Sequence, residues 1–180
     1  MSNNESIIIM GALIIVLVAV GIVGLTGPTE EQKNIKDYYT QEVLVSMSPT
    51  DYLREIKNGN TDLIAVDLRS AAEYNISHLV TSINIPAGQI KSNLELISAF
   101  SVLPKGKTVI TYCYSSYCML SKKVGQALAN NGIFIKHFTA GWLEINRDYN
   151  DYVVLGKEPG KLTTTASGAC SINDTAEFGC

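Results

Sequence analysis

The chain has 180 residues, 46% of them hydrophobic, with a formal net charge of −3 and a pI near 5.4. That length holds one ordinary domain plus extensions. The acidic balance and the scattered Lys and Arg residues exclude the basic stripe that a nucleic-acid binder needs, so no nucleic-acid partner is expected.

The first element is a run of 19 residues without a charge, Ile7 to Leu25, dominated by Ile, Val and Leu. As a helix it would extend roughly 28 Å, about the hydrocarbon thickness of a bilayer. Met-Ser-Asn-Asn-Glu ahead of it carries no Lys or Arg, and no small-x-small cleavage site follows, so an uncleaved single-pass anchor over residues 1–27 fits better than a secretory leader. Lys33 and Lys36 after the span vote for a cytoplasmic domain, but they are interleaved with Glu30, Glu31 and Asp37. The cysteine pattern described below points the other way, and a domain on the outer face is the expectation.

A polar linker, residues 28–40, precedes the domain proper. Val43 to Val45 reads as a short strand. Ser48-Pro49-Thr50-Asp51 is a helix start, with a Ser cap, Pro at the first helical position and an acid in the first turn. Tyr52, Leu53 and Ile56 form its inner face, and Asn58-Gly59-Asn60 stop it. Leu63 to Val66 is a buried strand ending on Asp67, Ser70 to Tyr74 is helical, and Ile83 to Pro86 is a strand stopped by proline. Leu94 to Phe100 is a helix, Pro104 to Lys107 a turn, and Thr108 to Tyr112 a β-branched strand. Leu120, Val124 and Leu128 recur at helical spacing until Asn130-Asn131-Gly132. Ile133 to Phe138 is a further strand, and Thr139-Ala140-Gly141-Trp142 turns into a last helix. Alternating strands and helices, with continuous apolar strands, imply an α/β domain around a mostly parallel sheet, over residues 41–156. Residues 157–180 read as a flexible tail containing Cys170 and Cys180.

The chemistry concentrates where Thr108 to Tyr112 delivers Cys113 to a short polar loop, Tyr114-Ser115-Ser116-Tyr117-Cys118, that opens into a helix. A helix start offers unpaired N–H groups and the positive end of a dipole, which stabilise a thiolate. The alternative, Cys113 as a small buried hydrophobe, is common for free cysteine. With Asp67-Leu68-Arg69, Glu73-Tyr74, His78, Ile85-Pro86 and Gly141-Trp142, in order and at matching intervals, the chain resembles the rhodanese (sulfurtransferase) family from about Val43 to Val154. The resemblance implies a three-layer fold in which a mostly parallel sheet is flanked by helices. It also implies that Cys113 takes sulfane sulfur from a small donor, becomes a persulfide, and passes the sulfur to a thiol or cyanide-like acceptor. Residues 114–118 would wrap their N–H groups around that sulfur. Arg69 and Glu73 read as a structural ion pair, and His78 and His137 as structural hydrogen-bonders.

One departure matters. The rhodanese loop commonly runs Cys-x4-Arg, and here Cys118 stands at the Arg position. A small dianion such as thiosulfate thereby loses a charge-assisted contact, typically ~1.5–3 kcal/mol, while the two tyrosines suit a larger or less charged donor. Met119 at the sixth position also speaks against the Cys-x5-Arg phosphate clamp of the related phosphatases. Cys118 is either inert or a resolving thiol able to attack a Cys113 persulfide. Cys170 and Cys180 suggest a surface disulfide, and with the sequons at Asn75 and Asn173 they favour the outer face. No Cys-x2-Cys pair exists, so neither metal nor cofactor is expected. Three functions remain: a membrane-anchored sulfurtransferase, a thiol–disulfide redox module using Cys113 and Cys118, and a non-catalytic module that binds a partner.

Overall fold

The computed structural model describes residues 10–16 and 27–162. Two compact units divide the chain, Met1–Val43 and Leu44–Cys180. Of the expected span Ile7 to Leu25, residues 10–16 are helical and exposed, and the remainder lies outside the described residues. Among the described residues no helix is long and apolar enough to cross a membrane.

Helix α1, Glu30–Val45, buries none of its residues. The strand expected at Val43 to Val45 is instead the last turn of this helix, and β1 is Ser46–Met47. The reason is local: Val43, Leu44 and Val45 follow directly on a helix already formed from Glu30, and adding a residue to an existing helix costs far less than starting one. Helix α2 is Pro49–Lys57, with the Ser48 hydroxyl accepting from the Asp51 N–H, as the sequence predicts. Strand β2 follows at Leu63–Asp67, then α3 at Ala71–Ile76, β3 at Ser77–Leu79, and β4 at Ile83–Asn84. Helix α4 is Asn93–Ser101, β5 is Thr108–Tyr112, and α5 is Leu120–Ala129. The chain closes with β6 at Lys136–Phe138, α6 at Trp142–Asp148, and β7 at Val153–Leu155.

Five strands form one parallel sheet in the order β1-β6-β5-β2-β4. The all-parallel pairing follows from the helical crossovers and confirms the α/β class. Both faces are covered. Val66 and Val109 meet Leu96, Phe100, Val124 and Leu128 of α4 and α5 on one side. Ala65, Ile110 and Tyr112 meet Tyr52 and Leu53 of α2 and Ile145 of α6 on the other. Strand β6 is shorter than the apolar run Ile133 to Phe138 suggests, because β5 offers it partners only at Ile110 and Thr111. Ile133 and Ile135 pack against the core without joining the ladder.

A second, antiparallel pair, β3 with β7, has no counterpart in the sequence reading. Its three-residue strands show no periodicity, and only long-range register creates it. His78, fully buried here, stacks on Tyr74 at 3.7 Å and holds two carbonyls, Tyr74 O through Nδ1 and Glu158 O through Nε2. Thr81 N–H donates to Pro159 O, so residues 158–160 lie against this small sheet.

At the C-terminal edge of the large sheet, Asp67 and Arg69 form a buried pair, 0% and 3% exposed. The Asp67 carboxylate accepts from Arg69 Nε at 3.1 and 3.0 Å, from Nη2 at 2.6 Å, and from the Arg69 N–H at 2.9 Å. Removing one partner leaves the other charge buried and uncompensated. Asp67→Ala is therefore expected to lower unfolding free energy by about 3–5 kcal/mol, measured by urea denaturation.

Candidate active site around Cys113 and Cys118

Parallel register places the ends of β2 and β5 side by side, with Asp67 opposite Tyr112. The loops that follow them meet at the sheet edge where ligands of open α/β sheets bind. One loop carries Arg69 and the other carries Cys113. Arg69 faces neither sulfur nor solvent. Its guanidinium is bound by Asp67, donates to Ser77 O at 2.8 Å, and lies 4.0 Å from the Trp142 ring centroid. The ion pair expected between Arg69 and Glu73 is thus replaced by Arg69–Asp67.

Glu73 has a different task. Its carboxylate accepts from the Ser70 hydroxyl and the Ser70 N–H while Ser70 Oγ accepts from the Glu73 N–H, a capping box that starts α3. It also accepts from the Tyr114 hydroxyl at 3.0 Å. The Ser70 hydrogen bond chiefly lowers the Glu73 carboxyl below its ordinary range, and the Arg69 charge contributes least. Sequence spacing fits both roles, because an Arg four residues before a Glu is also an Arg just ahead of a helix cap.

The Cys113 loop is held from the opposite side by the start of α6. Trp142 N–H donates to Cys113 O at 2.7 Å and Leu143 N–H to Tyr114 O at 2.9 Å. Glu144 accepts from Gly141 N–H at 2.9 Å, Ser116 N–H at 3.1 Å and Ser116 Oγ at 3.0 Å. The two backbones run so close that a Cβ at Gly141 would sit 2.3 Å from Ser115 N and Cα. Space, not an unusual dihedral, makes this position glycine. Glu144 and Ser121 were not among the residues singled out from sequence. The Gly141-x-x-Glu144 spacing of a helix start was the available signal for the first.

Inside the loop lie two free thiols. Cys113 is 2% exposed and Cys118 partly exposed. Cys113 Sγ lies 3.5 Å from Cys118 O. The Cys118 N–H donates to Ser115 O at 3.0 Å, closing a turn within the loop. The N–H groups do not all surround Cys113, as the sequence suggests they should. Those of Ser116 and Cys118 donate to the Glu144 carboxylate and to Ser115 O instead. Leu120 and Ser121 are the first two residues of α5, so their N–H groups have no partner within that helix.

The electrostatic result is an inversion. Burial, reinforced by the Cys118 thiol, pushes the Cys113 thiol up, against opposition from the Ser121 hydroxyl and N–H. Burial also works against a Cys118 thiolate, but the hydrogen bonds from Cys113, Leu120, Tyr114 and Ser115 together bring it down. The two shifts are opposed, so Cys118 ionises more readily than Cys113. Around them, Tyr117 is 90% exposed and Met119 and Tyr114 are partly exposed, so the rim is uncharged and partly aromatic. Among the described residues no group of three or more His, Cys, Asp or Glu side chains is placed to hold a metal. Cys170 and Cys180 lie outside the described residues.

A parallel α/β domain with a cysteine directly after a central strand, Asp-x-Arg beside it and Gly-Trp clamping the loop defines a class of domain. The sequence matches the rhodanese-like domain over residues 48–148, more than half of the chain, and the protein belongs to that family. It is 35% identical over 72 residues to the tRNA sulfurtransferase of Thermoplasma acidophilum, a stretch covering 40% of this chain and 13% of that protein. The solved BH2092 protein of Bacillus halodurans superposes with a TM-score of 0.58 at 27% identity, covering 75% of this chain and 93% of that one. A thiosulfate sulfurtransferase from Pseudomonas aeruginosa shares the fold at a TM-score of 0.50 and 18% identity, over 66% of this chain and 22% of that one.

The two thiols are expected to differ in reactivity. Near neutral pH, iodoacetamide should modify Cys118 first. Cys113 should react only as pH climbs past the ordinary thiol range, since a raised pKa delays its thiolate. Peptide mass mapping across a pH series reads the order, and Cys113 labelled first at neutral pH would contradict the assignment.

Proposed function

We propose that the protein is a membrane-anchored sulfurtransferase that moves sulfane sulfur through a persulfide on Cys113. The observation that carries this reading is the position of Cys113: directly after the central parallel strand β5 and in the loop that leads into α5, with its carbonyl accepting from the Trp142 N–H. A nucleophile there attacks a donor's outer sulfur, and helix-terminal donors stabilise the persulfide anion that results. Membership of the rhodanese-like family supports the reading, as does the sulfurtransferase name of the Thermoplasma relative, although the match spans only 13% of that relative. The acidic chain offers no basic stripe of its own for RNA.

Donor choice follows from charge. No Lys or Arg occurs from Cys113 to Ser121, the Arg69 guanidinium is committed to Asp67 and Trp142, and Glu73 and Glu144 place carboxylates at the loop. Such a site disfavours a dianion and suits an organic persulfide. Glutathione persulfide should therefore load Cys113 faster than thiosulfate by about tenfold or more, the rate equivalent of a lost charge-assisted contact. Intact-mass analysis should show a gain of one cyanide-labile sulfur that Cys113→Ser abolishes. No sulfur gain from any donor would remove the proposal.

The anchor is Ile7 to Leu25, supported by 19 uncharged residues at bilayer length. The outer face is the preferred side for the domain. The protein should remain in the membrane pellet after carbonate extraction, and deletion of residues 1–27 should release it.

A further inference from the structure

Tyr114 and Ser116 are exposed, so packing does little to fix the stretch of loop that follows the buried Cys113. Two carboxylates fix it instead, one from each side. Glu73 Oε2 accepts from the Tyr114 hydroxyl at 3.0 Å. Opposite it, Glu144 accepts from the Ser116 N–H at 3.1 Å through Oε2 and from the Ser116 hydroxyl at 3.0 Å through Oε1. Both carboxylates are themselves held. Glu73 is the third residue of α3, and its Oε2 also takes the Ser70 hydroxyl and N–H. Glu144 is the third residue of α6, and its Oε2 also takes the Gly141 N–H at 2.9 Å. Neither can swing away from the loop without giving up its own helix cap. A cap needs only the local donors, yet each carboxylate also reaches a segment 41 or 28 positions away. Both carboxyls lie below their ordinary range. The Ser70 hydroxyl is the main cause at Glu73; at Glu144 burial opposes the shift, and the hydrogen bonds from Gly141 and Ser116 help to outweigh it. An ionised carboxylate only accepts, and its hydrogen bonds are stronger than neutral ones.

We propose that Glu73 and Glu144 are positioning residues for the chemistry at Cys113, clasping the loop from both sides so that a donor's sulfur meets the thiol in one fixed orientation. The inference rests on the persulfide role of Cys113 and adds two residues that act through Tyr114 and Ser116 rather than on the donor. Small misplacements of a reacting group are expensive, which gives the clasp its value. Position and charge are separable here, because Gln copies the shape of Glu. At position 73 one amide oxygen can replace Oε2, the atom that takes the Ser70 and Tyr114 donors. At position 144 the amide oxygen can replace Oε2, while the amide nitrogen donates to Ser116 Oγ, a hydroxyl that accepts as well as donates. Gln therefore keeps the clasp and removes the charge, whereas Ala removes both.

The test loads full-length wild type, Glu73→Gln, Glu73→Ala, Glu144→Gln and Glu144→Ala with glutathione persulfide in single turnovers, at a temperature where circular dichroism shows each folded. A loop-side pair, Tyr114→Phe with Ser116→Ala, loses both hydroxyl contacts but keeps both helix caps. At saturating donor the Ala variants should gain sulfur on Cys113 about tenfold or more slowly, with the half-saturating concentration little changed. The Gln variants should recover most of the rate, and the loop-side pair should fall between. Hydrogen exchange at the Ser116 and Cys118 amides reads the loop without sulfur, and should quicken in the Ala variants but not in the Gln variants. Ala variants with wild-type loading and wild-type exchange would overturn the clasp and leave Cys113 as a sulfur carrier. Gln variants as slow as Ala would also overturn it, since charge rather than position would then matter. No sulfur gain in the wild type, with the exchange pattern as expected, would remove the persulfide reading and with it the catalytic meaning of the clasp.

Discussion

The contact between the Gly141 and Ser115 backbones is the constraint on which the site depends. Two chain segments that are 26 residues apart approach more closely than any side chain at Gly141 would permit. That approach lets the first N–H groups of α6 bond the Cys113 and Tyr114 carbonyls, and it brings Glu144 to the Ser116 N–H and hydroxyl.

The buried Asp67–Arg69 pair supports the same place from the neighbouring strand. A buried ion pair is weak evidence of net stability, since desolvation offsets much of its attraction. Its contribution here is positional. Arg69 bridges Asp67, the Ser77 carbonyl and the Trp142 ring, so the loop after β2, the small β3–β7 sheet and the start of α6 share one rigid point. A cation that chemistry would welcome at the sulfur is spent instead on the scaffold. The Cys113 loop itself, Cys113 to Ser121, consequently carries no cationic side chain.

The pairing of the two thiols shows why a loop with this sequence need not behave as its spacing implies. From Cys-x4-Cys alone the first cysteine takes the anion nest and the second is an accessory. In the structure burial raises the Cys113 thiol, while the less buried Cys118 thiol is lowered. Cys113 therefore ionises less readily than its neighbour, although it directly follows the central strand β5.

Much of the architecture was legible from local chemistry. The caps at Ser48 and Ser70, the β-branched run Thr108 to Tyr112, and the helical spacing of Leu120, Val124 and Leu128 each act within a few residues, where sequence and conformation are directly coupled. The order of Asp-x-Arg, Cys113 and Gly-Trp marked the family and the reactive loop for the same reason. What remained hidden depends on register between distant segments. Val43 to Val45 joined a helix because its neighbours were already helical, and β3 with β7 exists only because three residues meet three others 76 positions away. Arg69 chose Asp67 over Glu73 once burial set the distance. Thus the sequence alone determined the fold class and named Cys113. Only tertiary packing, by pressing Gly141 against Ser115, decided which groups hold the loop: the first N–H groups of α6 on the Cys113 and Tyr114 carbonyls, and Glu144 on Ser116.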